Sequence, residues 1–566
     1  MRALILCLCC SYSAWLAAQS FSSVWQQTYP GVGAFSSPRA VDLNGDGTSD
    51  IIIAAGIEGD YSAAGAFAID GTDGSLLWSL PSRNQLYSSA IWQQVDDDAT
   101  PDVYLAGRDA QLYCLSGIDG SIIWEFWPDS LGSATPDGWY NFYQPYLISD
   151  LTGDGIGEVL TACGGDATAS PSDTLRPPGR VVLLDGADGT LLGYDTLPDG
   201  REIYAAPLLT DAGDIIVGSG GETVSGSYYR FSVAELLASD LSQAEVLISS
   251  PAKGFIATPA LADLTEDGVR DLILPTLDGR LLALDLATTD TLWSVELPGT
   301  ENYVSPTIGQ FTDDDIPDVY GIFARNVWPF YSYYIEVVID GATGAVLSQD
   351  TTSRYQLATA VAADTDADGY DELLLARNYD IGSTTIQFRH RIEHRDFNDD
   401  TITYLTDYEP GLDVFSSLLL TDLDDDAQVD IIKFSNPTED AWYNFDAVRI
   451  SRYSWSLDLP YIAWAGYMGT ALTGQYFAPV ATALSPILPT GAPRLSVYPN
   501  PTSQLLYVLP TGGTSWPSGA QVQLCDALGR MRLIGPANSP LDVSGLLPGI
   551  YFVRVPGYAV ERVMVE

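Results

Sequence analysis

Apolar and polar positions in this chain recur as a block, not as one simple period. Each block opens with an acidic turn and passes into a short β-branched or leucine-rich run: "DLNGDGTSDIIIAAG" from Asp42, "QVDDDATPDVYLAG" from Gln94, "DLTGDGIGEVLTACGG" from Asp150, "DLTEDGVRDLILPT" from Asp263, "QFTDDDIPDVYGIFA" from Gln310, "DTDADGYDELLLAR" from Asp364 and "DLDDDAQVDIIKFS" from Asp422. An eighth, "LLTDAGDIIVGSG" from Leu208, keeps both flanking apolar runs without the acidic turn. Successive blocks start 47 to 58 residues apart. Downstream of the turn comes a second pattern, a strand, a Gly/Asp turn and a strand ending in an aromatic, as in "FAIDGTDGSLLWSL" and "YCLSGIDGSIIWEF". Such units are hairpins. Each block therefore holds four short strands. Helical periodicity is confined to "FSVAELLASDLSQAEV", Phe231 to Val246, a short insertion in the fourth block.

A four-stranded block cannot bury its own faces, and evenly spaced copies do so by closing into a ring. The expected fold is all-β: a β-propeller of eight four-stranded blades, or seven if the block without an acidic turn is an insertion. It is assigned to residues 19–460, with a closing segment and linker at 461–492. The N-terminal "SVWQQTYPG" reads as an outer strand without the rest of its blade, so it is expected to complete the last one. Trp78, Trp124 and Trp293, at strand ends, are expected to pack between blades.

Composition narrows the setting. The chain has 566 residues, 46% hydrophobic and 17% charged, which suits a folded, multi-domain protein. Its net charge of −49, with only Lys253 and Lys433 as lysines, argues against nucleic acid or an anionic membrane as partner and favours cations. Residues 1–18 read as a signal peptide, from Arg2 through an apolar run to Leu16-Ala17-Ala18. No other run approaches the about 18 apolar residues of a membrane-spanning helix. Cys7, Cys9 and Cys10 leave with the leader. Cys114, Cys163 and Cys525 remain, too few and too far apart for a disulfide framework, and Cys114 reads as a small buried hydrophobe.

The acidic turns carry the candidate chemistry. Asp42, Asn44, Asp46 and Asp50 occupy positions 1, 3, 5 and 9 of the first turn, with Gly47 at position 6. Oxygens at alternate positions of a tight loop converge on one point, as hard, oxygen-seeking calcium requires. A helix-flanked calcium hand would need a glutamate at position 12, where Ile53 stands, so the loop joins strands. The same positions hold Asp150, Thr152, Asp154 and Glu158; Asp263, Thr265, Asp267 and Asp271; Asp364, Asp366, Asp368 and Glu372; and Asp422, Asp424, Asp426 and Asp430. Two turns are degenerate: one begins with Gln94 and keeps Asp96, Asp98 and Asp102, and the other begins with Gln310 and keeps Asp314 and Asp318.

From Asp42 to about Ser435 the chain resembles the FG-GAP and VCBS repeat propellers, whose blades contain such D-x-[DN]-x-D-G-x-x-[DE] loops. The interleaved "IDGTDGSLLW" units also resemble quinoprotein-like repeats. The resemblance implies a structural calcium that neutralises clustered carboxylates and pins the turn, and it implies no reaction.

After the proline-punctuated "SPILPTGAP", residues 493–566 alternate as short strands suited to a small Ig-like β-sandwich. "YPNP" at Tyr498 to Pro501, "DALGR" at Asp526 to Arg530 and "LPGIYFVRV" at Leu547 to Val555 resemble, in order, the type A sorting domain of the type IX secretion system of Bacteroidetes. This implies export to the periplasm, passage through the outer membrane by the type IX machinery, and a product released or attached to the cell surface.

A binding or adhesion role, with a glycan or protein surface ligand, is the expected function. A quinone-dependent dehydrogenase is disfavoured, since the mature chain lacks the adjacent cysteines common in that family. The alternative is a calcium-dependent polysaccharide lyase of rhamnogalacturonan-lyase type, which would need a base beside a cation. The sole histidines, His390 and His394, lie with Arg389, Arg391 and Arg395 in "FRHRIEHRDFNDD". An exposed strand paired with acids is the expectation there; an anion or uronic-acid site is the sharper reading. "DGWYNFYQPY" at Asp137 to Tyr146 and "NVWPFYSYY" at Asn326 to Tyr334 are candidates to stack on sugars or to pack the funnel.

Overall fold

The structure is a computed structural model that describes residues 20–126, 141–164, 176–327, 330–352, 355–440, 446–458 and 461–477, and from 495 onward 495–498, 502, 504–510, 521–526, 531–537, 540–543, 546, 549–554 and 561–565. The expected leader, 1–18, lies outside the described residues. The chain up to Phe477 forms one compact unit, and Ala478–Glu566 a second.

In the first unit the described residues form eight antiparallel sheets that follow one another along the sequence. Blade 1 consists of Arg39–Val41, Asp50–Ala54, Ser62–Ile69 and Leu76–Ser82 in that spatial order. Its second strand is wholly buried, whereas its fourth alternates exposed and buried positions. The uninterrupted apolar runs thus lie within the blades, where neighbours cover both faces, and the alternating runs lie at the rim. The block without an acidic turn builds a full blade 4 from Leu208–Leu209, Ile215–Gly218, Gly226–Phe231 and Glu245–Ser250, so the count is eight rather than seven. Its insertion holds the helix Val233–Leu237, closed by a capping box between Ser232 and Glu235.

Blade 8 is made from both ends of the propeller. Leu419–Thr421, Gln428–Ser435 and Ala447–Asp458 are completed by Phe21–Pro30, which runs antiparallel to Ala447–Trp455. The tryptophans join blade to blade, as expected. Trp25, Trp78, Trp124 and Trp293 each donate Nε1–H to a glycine carbonyl in the next blade's hairpin turn, at Gly71, Gly117, Gly186 and Gly341, over 2.7–2.9 Å. Each indole lies on a second glycine of that turn, Gly74, Gly120, Gly189 or Gly344. There φ is +71 to +75° and a Cβ would fall 2.4–2.8 Å from the tryptophan, so only glycine fits.

Residues 461–477, expected to be closing segment and linker, are part of the propeller. Ile462–Trp464 pairs with Val361–Ala363, the first strand of blade 7. Ala465 O accepts from Leu420 N–H of blade 8 (3.0 Å), and Gly474 O accepts from Leu261 N–H of blade 5 (2.7 Å). Gln475 Nε2 donates to Leu209 O of blade 4, and Arg39 of blade 1 donates to Thr470 O. One short segment can reach the first strands of blades 1, 4, 5, 7 and 8 only where these converge, on the ring axis. It caps the channel at the end where first strands enter the acidic turns, with Trp464 and Met468 fully buried.

The second unit has two antiparallel sheets, Leu495–Tyr498, Leu505–Pro510 and Leu541–Asp542 in one, and Met531–Pro536, Gln521–Asp526, Gly549–Arg554 and Glu561–Val565 in the other. They enclose Leu506, Leu524, Val543, Val553 and Val563, forming the small sandwich expected there. Cys114 and Cys163 are buried free thiols.

Candidate metal loops and axial cup

Each acidic turn is a run of side-chain-to-backbone bonds. In the first, Asp42 accepts from Gly45 N–H (2.7 Å) and Gly47 N–H (3.1 Å), and Asp46 from Thr48 N–H (2.8 Å). The position 9 carboxylates, Asp50, Asp102, Glu158, Asp271, Asp318, Glu372 and Asp430, are all buried. Each accepts the N–H of loop position 2, from Leu43, Val95, Leu151, Leu264, Phe311, Thr365 or Leu423, at 2.6–3.0 Å. In blades 1, 2, 3 and 6 the same carboxylate also holds the hairpin glycine, Gly71, Gly117, Gly186 or Gly341. Position 9 therefore staples the turn to the blade. Burial pushes Asp50, Asp271 and Asp318 up to about 6 and Glu372 to about 7. These sites lack positive charge.

The loops differ in what stands at their centre. Oxygens of Asp364, Asp366, Asp368 and Glu372 lie within 4.8 Å of one another, as do those of Asp422, Asp424 and Asp426. Asp364 Oδ1, Glu372 Oε1 and Asp263 Oδ1 are buried without a hydrogen-bond partner, the condition a hard cation would relieve. In the first loop a neutral amide, Asn44 Nδ2, stands 3.3–3.4 Å from Asp46, Asp50 and Asp70. The two degenerate loops are filled from within. Gln94 Nε2 donates to Asp96 O (3.0 Å), and Gln310 Nε2 donates to Thr312 O (3.0 Å) and Asp314 O. In blade 8 a guanidinium enters the loop, with Arg452 donating to Asp430 Oδ1 (2.9 Å), Asp430 Oδ2 (2.8 Å) and Asp424 Oδ2 (2.5 Å).

The basic strand Phe388–Asp396 is neutralised by its surroundings. Arg389 pairs with Glu439 (2.6 Å), Arg395 with Glu336 (2.5 Å), and Arg391 with Glu393 (3.3 Å) while stacking on Tyr404. His394 meets Thr365 Oγ1 at 2.8 Å. His390 is fully buried, and burial followed by the neighbouring Lys433 pushes it down to about 3. The arginines here tie blade 7 to its neighbours, Arg395 to blade 6 through Glu336 and Arg389 to blade 8 through Glu439.

A second candidate site lies at the other end of the axis. Seven residues before position 1 of every turn, and before Asp211 of blade 4, stand Phe35, Tyr87, Tyr143, Tyr204, Ile256, Tyr303, Leu357 and Phe415. All eight are half-buried. They precede the first strands, so they face the end of the channel opposite the acidic turns. Phe35 meets Phe415 at 4.4 Å, Tyr87 meets Tyr143 at 5.5 Å, and Tyr143 meets Tyr204 at 5.6 Å. Below them, blades are tied by Ser417 N–H to Ser37 Oγ (3.0 Å), Ser37 N–H to Ser89 Oγ (3.1 Å) and Ser89 N–H to Gln144 Oε1 (2.8 Å). From the axial segment Tyr467 Oη reaches Thr258 Oγ1 at 3.3 Å, so the channel ends there as a cup.

Glu202 pairs with Arg176 (3.5 Å), and Glu301 with Lys253 and with the Tyr331 hydroxyl (2.8 Å). Burial raises Glu202 and Glu222. Gln85 Oε1, Tyr87 Oη, Asn302 Nδ2 and Tyr303 Oη are buried without a hydrogen-bond partner. Of the two aromatic stretches singled out by sequence, Tyr143 and Tyr331 belong to this cup, while 137–140 and 328–329 lie outside the described residues. The rim was missed in the sequence, although its constant seven-residue offset is visible there.

Residues 496–562 match the family model of the secretion system C-terminal sorting domain. The tail is a type IX sorting domain. This sorting domain directs the chain to secretion or the outer cell surface, and no helix among the described residues is long and apolar enough to cross a membrane. In sequence the chain is similar to Protein FAM234B of Homo sapiens, 22% identical over 61% of this chain, and to its Mus musculus counterpart at 21%. It spans 57% of those relatives' length. Among solved structures, a europium-containing methanol dehydrogenase superposes with a TM-score of 0.50 and 9% identity, over 77% of this chain and 93% of that one. That likeness is one of fold.

Proposed function

We propose that the protein is an exported, calcium-stabilised propeller of FG-GAP/VCBS type that binds a carbohydrate in its axial cup. The rim carries this reading: one half-buried side chain from each of eight blades, six of them aromatic, at a single sequence offset. Concave sites with aromatic walls and a few convergent polar groups suit small polar ligands. The unpartnered atoms beside the rim are of both kinds, an acceptor at Gln85, a donor at Asn302 and two tyrosine hydroxyls. A sugar hydroxyl can satisfy both, whereas an ammonium meets only acceptors and a carboxylate only donors. Glu202, Glu222 and Glu301 further disfavour uronates. Calcium, held by the acidic loops, would neutralise carboxylates whose oxygens are otherwise buried and unpaired.

Calorimetric titration with cellohexaose, laminarihexaose, mannohexaose and polygalacturonate tests the reading. We expect a neutral oligosaccharide to bind and Tyr143→Ala/Tyr204→Ala to weaken it at least tenfold with unchanged melting. Undiminished binding in that variant removes the cup from the account. A calcium-dependent rise in unsaturated uronides from the polygalacturonate removes the binding role in favour of a lyase. Excess chelator should lower the melting temperature, since a site held at 100 times its Kd stabilises by about 2.7 kcal/mol.

A further inference from the structure

We infer that the capped end of the channel holds a site for a small organic carboxylate, recognised by Arg39. The position three residues before each acidic turn, and before Asp211 in blade 4, opens the first strand of its blade. In blades 2 to 8 it is isoleucine, leucine, leucine, alanine, threonine, valine and leucine, none of them charged; in blade 1 it is Arg39. A cation at such a position needs a partner, and the chain does not supply one. Arg39 Nε is buried without a hydrogen-bond partner. Its Nη1 donates to Thr470 O over a long 3.4 Å, and the guanidinium lies 5.3 Å from the centre of the Trp92 ring. Neither neighbour brings a countercharge. Although the chain has 74 acidic residues, burial unopposed by any of them pushes the guanidinium down to about 10. A cation buried in this state costs free energy that an oxyanion would return.

Arg39 stands in the wall of a cavity of about 160 Å³. The remaining wall is Ile91 and Trp92 of blade 2, Tyr146 and Leu147 of blade 3, and residues 471–473 of the axial segment, so among the described residues Arg39 is its one charged member. A cavity of about 150 Å³ takes a molecule the size of benzene. The walls therefore ask for two parts in one ligand, an anionic head for the guanidinium and an apolar body of about that size. A carboxylate matches the guanidinium fork with two parallel N–H···O bonds, whereas bare phosphate would set its oxygens against Ile91, Leu147 and Leu472. A net charge of −49 repels anions from the surface as a whole, so selection rests on this one cation and its apolar walls. The site shares no residue with the acidic turns or the rim of the cup, and it stands apart from the calcium and carbohydrate readings.

Titration calorimetry of the full chain with benzoate and hexanoate, beside benzamide, hexanamide and inorganic phosphate, tests the site. A carboxylate should bind at a single site, at least about tenfold more tightly than its amide or phosphate, the effect of one charge-assisted hydrogen bond. Arg39→Met keeps the apolar stem, removes the charge and should lose that preference, and Arg39→Lys should recover part of it. Ala471→Leu fills the cavity from the axial segment with Arg39 in place, and should abolish binding while melting like the parent; it decides the matter where Arg39→Met does not fold. An amide bound as tightly as its acid, phosphate bound as tightly as either, or no probe bound by the parent would overturn the proposal. So would carboxylate binding that survives undiminished in Arg39→Met or Ala471→Leu.

Discussion

Replacing Trp25 with alanine tests how the ring is held shut. The strand Phe21–Pro30 has one fully buried side chain, Trp25, at 8% exposure, and its other positions are half-buried or exposed. Its indole lies on Gly74 of blade 1 and its Nε1–H bonds Gly71 O at 2.8 Å, beside the contact of Tyr29 with Phe67. Truncating a buried tryptophan to alanine costs about 3–5 kcal/mol. The strand runs on into blade 1 but meets Ala447–Trp455 of blade 8 through non-covalent contacts alone, so that loss appears as local opening. With a tenfold change for each 1.4 kcal/mol, amides of residues 21–30 should exchange about 10² to 4 × 10³ times faster in Trp25→Ala, read by hydrogen exchange on the N-terminal peptide. Trp78→Ala removes the same contacts, on Gly120 and Gly117 O, from a seam inside the continuous chain, and should leave that peptide's protection nearly unchanged. Gly74→Ala, which places a Cβ 2.8 Å from the Trp25 ring at φ +75°, should open the same peptide from the other side. An increase below tenfold in Trp25→Ala, or an equal increase in Trp78→Ala, would refute the seam argument.

His390 gives a pH dependence with a definite sign. Its folded value of about 3 lies below the ordinary 6.5, so the unfolded chain takes up a proton that the folded chain refuses. Its contribution is intact above pH 6.5 and is lost as pH falls toward 3, by up to about 1.4 kcal/mol per unit. Denaturant midpoints at pH 7, 5.5 and 4.5 should therefore fall less steeply for His390→Asn than for the parent; parallel slopes would contradict the assignment. Arg377→Met should destabilise by about 1–3 kcal/mol in the same assay, because it takes one of two guanidinium partners from each of buried Glu336 and Glu393, leaving Arg395 and Arg391, and Arg377→Lys should recover only part of that.

The parts of the fold legible in sequence are those written locally and repeatedly. The acidic turn, the hairpin and the closing tryptophan each sit within a few residues of one another, so their meaning does not depend on the ring being closed. The axial segment was not legible for the opposite reason. "IAWAGYMGTALTG" carries no repeat and little charge, and its small residues acquire a purpose only where first strands from several blades meet. The loops fall between. Gln94 and Gln310 mark two of them as different in the sequence itself, but Arg452 stands 28 residues from Asp424, on another strand, and only the folded blade brings them together. The arginines and histidines of blade 7 look like a site when read in line, because the acids that pair with Arg389 and Arg395, Glu439 and Glu336, lie 50 and 59 residues away.

The seam in blade 8 bears on the order of events during synthesis and export. Ser20 and Ser456 bond across 436 residues, so the first strand has no partner until nearly the whole propeller has emerged. Its sequence, "FSSVWQQTYP", is mostly polar, which keeps an unpaired edge from recruiting another chain meanwhile. The sorting domain follows both seam partners in the chain. A truncated product lacks its export tag as surely as it lacks its clasp, so incomplete rings are withheld from the cell surface by the order of the gene alone.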